Sequence, residues 1–345
     1  ISFNENLDKN FVRNLSKKLF EWTGNRWVIT LTKKDGQKTF AELQDIKKAE
    51  LLNKEKKPLW FQKALKETKS KHQITVDGSK IFYQKWGNKK NPGIVLVHGS
   101  GGHSHWWDFI APSLTENFQI SALDLSGMGD SEHRPTYKPE IFAKEIISIA
   151  EDSGFFSKRP HPPVICGHSL GGYMSVHAAN LSTKPIRGVI MIDSPIRPPN
   201  FDYSMHFKSA PIRRKKNYPD KKTILSRFRL TPEQPCKNSF LVDYVAKFSI
   251  TKSNGGYQWK FDDKLFEKLG FSTMNRDLAF NLKSPIGFIY GSRSALMTKP
   301  IIDYIKKNIS NDSPLLKIDN AYHHVLLDEP QILTHKIISI IDKWL

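Results

Sequence analysis

Val164-Ile165-Cys166-Gly167-His168-Ser169-Leu170-Gly171-Gly172 is the stretch from which the rest of this 345-residue chain is read. A short apolar run of strand character meets a serine bracketed by glycines, and Tyr173 to Ala179 reads as a helix. The pattern is Gly-x-Ser-x-Gly at a strand-to-helix turn, the setting of a nucleophile elbow. A serine hydroxyl is a weak nucleophile unless it stands exposed beside a base. A sharp turn exposes it and crowds its neighbours. Gly167 and Gly171, two residues to either side of Ser169, relieve that crowding because glycine has no Cβ. The flanking strand and helix separate the motif from a chance glycine-serine turn.

Outward from this point, short apolar runs recur with helix-like segments between most of them. Gly93 to Gly99 reads as a buried strand entering a glycine turn. Ile120 to Leu125 is another, leading into Asp124-Leu125-Ser126-Gly127-Met128-Gly129-Asp130-Ser131. Pro139 to Asp152 reads as a helix. Further upstream, Ile74 to Gly87 predicts a hairpin about Asp77-Gly78, and Trp60 to Glu67 a short helix. Downstream, Ile186 to Pro195, Ile286 to Gly291 and Leu315 to Ile318 read as strands. The alternation predicts an α/β fold with a mostly parallel sheet and helices on both faces. Between Pro195 and Lys283 it stops. Prolines and aromatics accumulate there, and the segment reads as a mainly helical cap inserted after the strand that ends at Asp193. Such an insertion sits over the carboxyl ends of the strands, where ligands bind in open α/β sheets.

Composition narrows the class. No apolar run approaches the ~18 residues of a membrane helix. The N-terminus lacks the order of a secretory signal, and Ile1 in place of Met is compatible with a chain that begins inside a longer reading frame. Two cysteines, Cys166 and Cys236, make no disulfide framework, so a reducing, cytoplasmic location is expected. The net charge of +19 is uneven: +8 over residues 1–73, zero over 74–196, +10 over 197–283 and +1 over 284–345. No nucleic-acid-binding signature accompanies it, so solvated lysine-rich faces are the expectation, and neither a membrane nor a nucleic acid is expected as partner of the region after residue 59. Arg213-Arg214-Lys215-Lys216 and Lys221-Lys222 are the candidates for a positive entrance to the site. His103-Ser104-His105 lacks a third ligand at metal spacing and reads as loop packing; no metal is expected.

Residues 1–59 read as a separate small α+β unit, with an amphipathic helix over Phe11 to Phe20, a strand over Trp27 to Thr32, a turn at Asp35-Gly36 and a lysine-rich helix over Thr39 to Asn53. Trp22-Thr23-Gly24-Asn25-Arg26-Trp27, Thr39-Phe40-Ala41-Glu42 and Pro58-Leu59 resemble the C-terminal domain of the bacterial DNA polymerase III gamma/tau subunit. The unit carries no nucleophile–base constellation, its partner is open, and it is expected to be dispensable for any chemistry further along.

Residues 60–345 resemble the capped α/β-hydrolase superfamily. The resemblance rests on His98-Gly99 with its glycine-rich tail, the run from Asp124 to Ser131, the elbow, and Ala321-Tyr322-His323-His324-Val325-Leu326-Leu327-Asp328-Glu329-Pro330. It implies a core over 60–196 and 284–345, a cap over 197–283, and no cofactor. By position in the family, Ser100 and Leu170 supply the backbone N–H groups of an oxyanion hole, and His98, Gly99, His168 and Trp106 line the substrate site. His323 lies seven residues before Pro330, the family's spacing for its histidine, with His324 as competitor; an imidazole near pKa 6.5 can take and return a proton near neutral pH. Many members carry their acid three residues beyond the glycine of the penultimate strand, which here is Ser294. Nothing acidic stands from Gly291 to Ile302, so the acid is assigned to Asp193, as in some capped members. Asp124 precedes the nucleophile and reads as a structural turn. The resemblance implies a serine hydrolase acting on an ester, thioester or similar small carbonyl substrate. A carbon–carbon bond hydrolase and a non-catalytic ligand-binding protein on the same scaffold are the alternatives.

Overall fold

The computed structural model describes residues 10–25, 57–157, 161–199, 201, 217–269 and 276–344. The chain forms two compact units, Ile1–Pro58 and Leu59–Leu345. In the first, helix α1 spans Phe11–Thr23 and ends at Gly24, whose left-handed backbone (φ 67°) lets its N–H bond to the Phe20 carbonyl at 2.8 Å. The expected strand over 27–32, the turn at 35–36 and the helix over 39–53 lie outside the described residues, as does the basic run 213–216.

The second unit opens with α2 (Leu59–Lys66) and the hairpin β1 (Lys69–Val76) and β2 (Ser79–Trp86). Asp77 and Gly78, both at positive φ, make the two-residue turn that the Asp-Gly pair predicts. There follow β3 (Gly93–Val97), β4 (Gln119–Leu123), α3 (Pro139–Asp152), β5 (Val164–His168), α4 (Leu170–Leu181) and β6 (Gly188–Ile192). After an insert come β9 (Ile286–Gly291), α8 (Lys299–Asn308), β10 (Leu315–Ile318), α9 (Val325–Asp328) and α10 (Pro330–Ile341). The strands form one eight-stranded sheet in the order β1-β2-β4-β3-β5-β6-β9-β10. It is antiparallel from β1 to β4 and parallel thereafter.

The central strands are buried on both faces, which is why they read as unbroken apolar runs rather than as alternation. Ile94, Leu96, Val164, Cys166, Ile190 and Ile192 turn to one face, toward Leu333, Ile337 and Ile340 of α10. Val95, Val97, Leu123 and Ile165 turn to the other, toward Phe142, Ile146 and Ile149 of α3 and Met174 of α4. Each such aliphatic side chain contributes about 1.5–3 kcal/mol on burial. Met191, Val189 and Phe288 continue that face toward Ile301 and Ile305 of α8. No helix among the described residues is long and apolar enough to cross a membrane.

The insert between β6 and β9 holds α5 (Lys221–Ser226), α6 (Ser239–Phe248), α7 (Leu265–Lys268) and, beside these expected helices, an antiparallel pair, β7 (Ile250–Ser253) and β8 (Gly256–Trp259). Asn254-Gly255 between them is a hairpin signal of the same kind as Asp77-Gly78. The amphipathic helix α2 is anchored here too. Phe61 packs edge-on against Phe240 and Tyr244 of α6, with ring centroids 5.1 and 5.5 Å away.

Candidate active site

The parallel strands point their carboxyl ends to one edge, and every residue of the expected constellation follows such an end. Ser169 follows β5 and opens α4 with φ 53° and ψ −120°, a conformation that a non-glycine residue rarely holds. Backbone bonds pin it: its N–H donates to the Ile192 carbonyl at 2.9 Å, and its own carbonyl accepts from the Gly172 N–H at 3.0 Å and the Ser194 hydroxyl at 2.8 Å. The flanking glycines are required by close approach. A Cβ on Gly167 would lie 2.2 Å from the Gly171 carbonyl oxygen, and one on Gly171 would lie 2.5 Å from both the Val97 and His98 carbonyl oxygens.

Asp193 follows β6, also at positive φ (44°) and fully buried. Its Oδ1 accepts from the Gly291 N–H at 2.9 Å. Its Oδ2 accepts from the Ser294 hydroxyl at 2.6 Å and lies 2.7 Å from His323 Nδ1. Ionised, this carboxylate only accepts, so Nδ1 carries the proton and Nε2 is left as the base. Ser294 holds the position where many family members place their acid. Its Oγ accepts from the Leu296 and Met297 N–H groups, which directs its own proton onto Asp193.

His323 sits in a loop braced by side chains. The Tyr322 N–H donates to Asp328 Oδ2 at 2.7 Å, and the His324 N–H donates to Gln234 Oε1 at 2.8 Å. The Gln234 amide in turn donates to both Asp328 oxygens, at 3.1 and 2.9 Å. Neither Gln234 nor Asp328 was singled out by the sequence, although Asp328 stands within the run from Ala321 to Pro330. Burial pushes the Asp328 carboxyl up, against the hydrogen bonds it accepts.

Ser169, His323, Gly99, Ser100, Trp106, His168, Thr231 and His324 share a small pocket of about 30 Å³ with Gly102. Among the described residues no hydrogen bond joins the Ser169 hydroxyl to His323; such bonds tighten when substrate binds. The Ser100 N–H, in the tight turn closed by Gly102 N–H to the Gly99 carbonyl (3.0 Å), and the Leu170 N–H, at the free amino end of α4, have no acceptor among the described residues. A second pocket of about 280 Å³ adjoins the first and shares Ser100, Trp106, Thr231 and His324. Met128, Phe228, Trp259, Phe261 and Leu265 give it a largely apolar wall.

Of the four expected substrate contacts, Gly99, Trp106 and His168 line the small pocket and His98 does not. His98 is buried behind the pocket, its Nδ1 2.7 Å from the Gly99 carbonyl and its Nε2 accepting from the Leu125 N–H at 3.0 Å. Both nitrogens hold backbone, so His98 shapes the loop rather than touching a ligand, and burial lowers its pKa. His168 lines the pocket but its Nε2 is held by the His323 carbonyl at 2.9 Å. Burial, then repulsion from the neighbouring His323, lowers the pKa of His168 and of His324 well below the ordinary range. Asp124 accepts from the Ser104 and Asp130 N–H groups at 2.5 and 2.7 Å, as a structural turn does. His103 packs its Nε2 on Ser249 and the Val245 carbonyl, and His105 packs its Nδ1 on Asp108.

Residues 94–331 match the family described as the Alpha/beta hydrolase family, and residues 1–67 match one described as DNA polymerase III gamma and tau subunits C terminal. Among curated proteins, the uncharacterized hydrolase YugF of Bacillus subtilis (strain 168) is 31% identical over 123 residues, 35% of this chain and 43% of that protein, so the chain spans less than half the length of that relative. The pimeloyl-[acyl-carrier protein] methyl ester esterase of Wigglesworthia glossinidia brevipalpis is 25% identical over 269 residues, 73% of this chain and 94% of that protein. Among solved structures, E-2-(acetamidomethylene)succinate hydrolase superposes with a TM-score of 0.67 at 19% identity, covering 80% of this chain and all of that one (100%).

Proposed function

The chain belongs to the alpha/beta hydrolase family, and from that premise we propose that it is a serine hydrolase of esters or thioesters, with Ser169 as nucleophile, His323 as base and Asp193 as acid. One observation carries the reading: the 2.7 Å contact of His323 Nδ1 with a buried Asp193 carboxylate, at the sheet edge where Ser169 stands on its turn. Asp193 fixes the His323 tautomer and stabilises the imidazolium that forms. His323 Nε2 takes the Ser169 proton as Oγ attacks the carbonyl carbon. The Ser100 and Leu170 N–H groups receive the oxyanion, each contributing about 3 kcal/mol. The proton passes to the leaving alcohol or thiol, and His323 then takes a proton from the water that releases the acid.

The insert acts as the cap of this site. The larger pocket sits just under the ~300 Å³ at which small-molecule sites begin, and its apolar wall favours a short to medium acyl group over a sugar or a polyanion. The esterase activity named for the Wigglesworthia relative supports an ester substrate. The test is an acyl-chain series of p-nitrophenyl esters and thioesters, run beside a fluorophosphonate probe. Turnover of at least one ester, probe labelling confined to Ser169, and a loss of about 10⁶ in kcat on Ser169→Ala are expected. A well-folded chain that neither labels nor turns over any of the series is instead a ligand-binding protein on this scaffold.

A further inference from the structure

His168, His323 and His324 each offer one ring nitrogen, and these nitrogens lie within 4.8 Å of one another. All three rings are buried and line the small pocket beside Ser169. Its volume of about 30 Å³ suits a water or a single ion. The lone pairs can be assigned from hydrogen bonds. His323 donates from Nδ1 to Asp193, which leaves Nε2 bare. His168 Nε2 faces the His323 carbonyl, which can only accept, so Nε2 carries the proton and Nδ1 is bare. That Nδ1 faces Gly99, where a Cβ would come within 2.8 Å of it, on the wall of the same pocket. Neither ring nitrogen of His324 has a hydrogen-bond partner of ordinary geometry among the described residues, although the Thr231 and Pro232 backbone faces the ring as a weaker partner. An unmade bond on a buried polar group costs about 1–3 kcal/mol. Two assigned lone pairs and one weakly held imidazole therefore line one small pocket.

We propose that this cluster binds one divalent transition-metal ion of the zinc type, and that the bound ion silences hydrolysis by occupying His323 Nε2. An all-imidazole donor set selects zinc, nickel or copper and not magnesium or calcium, which take oxygen. The Asp193–His323 pair is already the carboxylate–histidine arrangement that orients a metal-bound imidazole. The nitrogens must draw together to reach the ~2.0–2.1 Å Zn–N distance, and His324, with no ring hydrogen bond of ordinary geometry to break, makes that movement. Water or the Ser169 hydroxyl completes a tetrahedral set. The silencing rests on the serine-hydrolase reading; the binding does not.

The test uses the full chain, freed of metal by dialysis against chelator and titrated calorimetrically with zinc, nickel, magnesium and calcium salts. One equivalent of zinc is expected, with a Kd of about 1 µM or tighter, and no binding of magnesium or calcium. His324→Ala and Asp193→Asn should each weaken zinc by about 10–100-fold; His324→Gln takes the place of His324→Ala if that variant does not fold. Ser169→Ala, with all three rings intact, should still bind one equivalent. In the wild-type chain zinc should suppress ester turnover over the same concentration range, and chelator should restore it. Absence of stoichiometric binding, or binding that His324 substitution does not change, overturns the site. Stoichiometric binding in a chain that turns over no ester when metal-free upholds the site and rejects the hydrolase reading.

Discussion

Around Ser169 the chain is held by main-chain atoms so closely packed that no Cβ fits, whereas around His323 it is held by side chains reaching in from the insert and the next helix. The elbow is fixed by Gly167 and Gly171 against the carbonyls of β3 and α4. The histidine loop is fixed by Asp328 and Gln234. The first kind of constraint tolerates almost no change. The second can be loosened by degrees. The contrast predicts that substitutions of the elbow glycines act on folding and substitutions at the loop act on turnover.

The largest effect is expected at Gly171→Ala. Its new methyl group meets two backbone carbonyl oxygens that cannot swing aside, so a loss of about 3 kcal/mol or more is expected, read as a collapse of soluble yield or of the urea midpoint. A stable, active Gly171→Ala protein would break the comparison. Next comes Asp193→Asn, which keeps the shape of the buried acid but permits the wrong His323 tautomer; ester turnover should fall by about 10⁴ with little change in thermal midpoint. Asp328→Ala is intermediate. It leaves the Tyr322 N–H and the Gln234 amide without their acceptor, so kcat should fall about tenfold while KM moves less, with about 1–3 kcal/mol lost in stability. An unchanged kcat would show that the histidine loop is held by packing alone. The smallest effect is expected from removing residues 1–58. A chain beginning at Leu59 keeps α2 and should match the full chain's kcat/KM within about twofold.

The elbow was legible in the sequence because its requirement is local: the residues that must lack a Cβ are two positions from the serine. The parallel sheet was legible for a related reason, since strands buried on both faces leave continuous apolar runs. Asp193 could be chosen because no carboxylate stands near Ser294, and Ser294 proves to donate to that same carboxylate. His98 was misread because a histidine at a strand end looks alike whether its nitrogens face a ligand or the backbone. Gln234 was invisible for another reason. It lies some 90 residues from the loop it braces, and no local pattern marks a side chain whose partner is supplied by tertiary structure. The hairpin in the insert is marked only by Asn254-Gly255, because its two strands, of four residues each, are too short to show an alternating apolar pattern.

Helix α2 bears on the order in which the molecule assembles. Phe61 meets Phe109 from early in the chain, but its two nearest aromatic partners, Phe240 and Tyr244, stand on α6. On a ribosome adding roughly 5–20 residues per second, those partners emerge some 10–40 seconds after Phe61 does. Through that interval the apolar face of α2 can close only against Phe109 and its neighbours, and contacts as distant in sequence as those to α6 form slowly in any case. The first helix of the second unit thus completes its packing only once α6 has arrived, and a chaperone that covers short apolar helices would find its target in α2 until then.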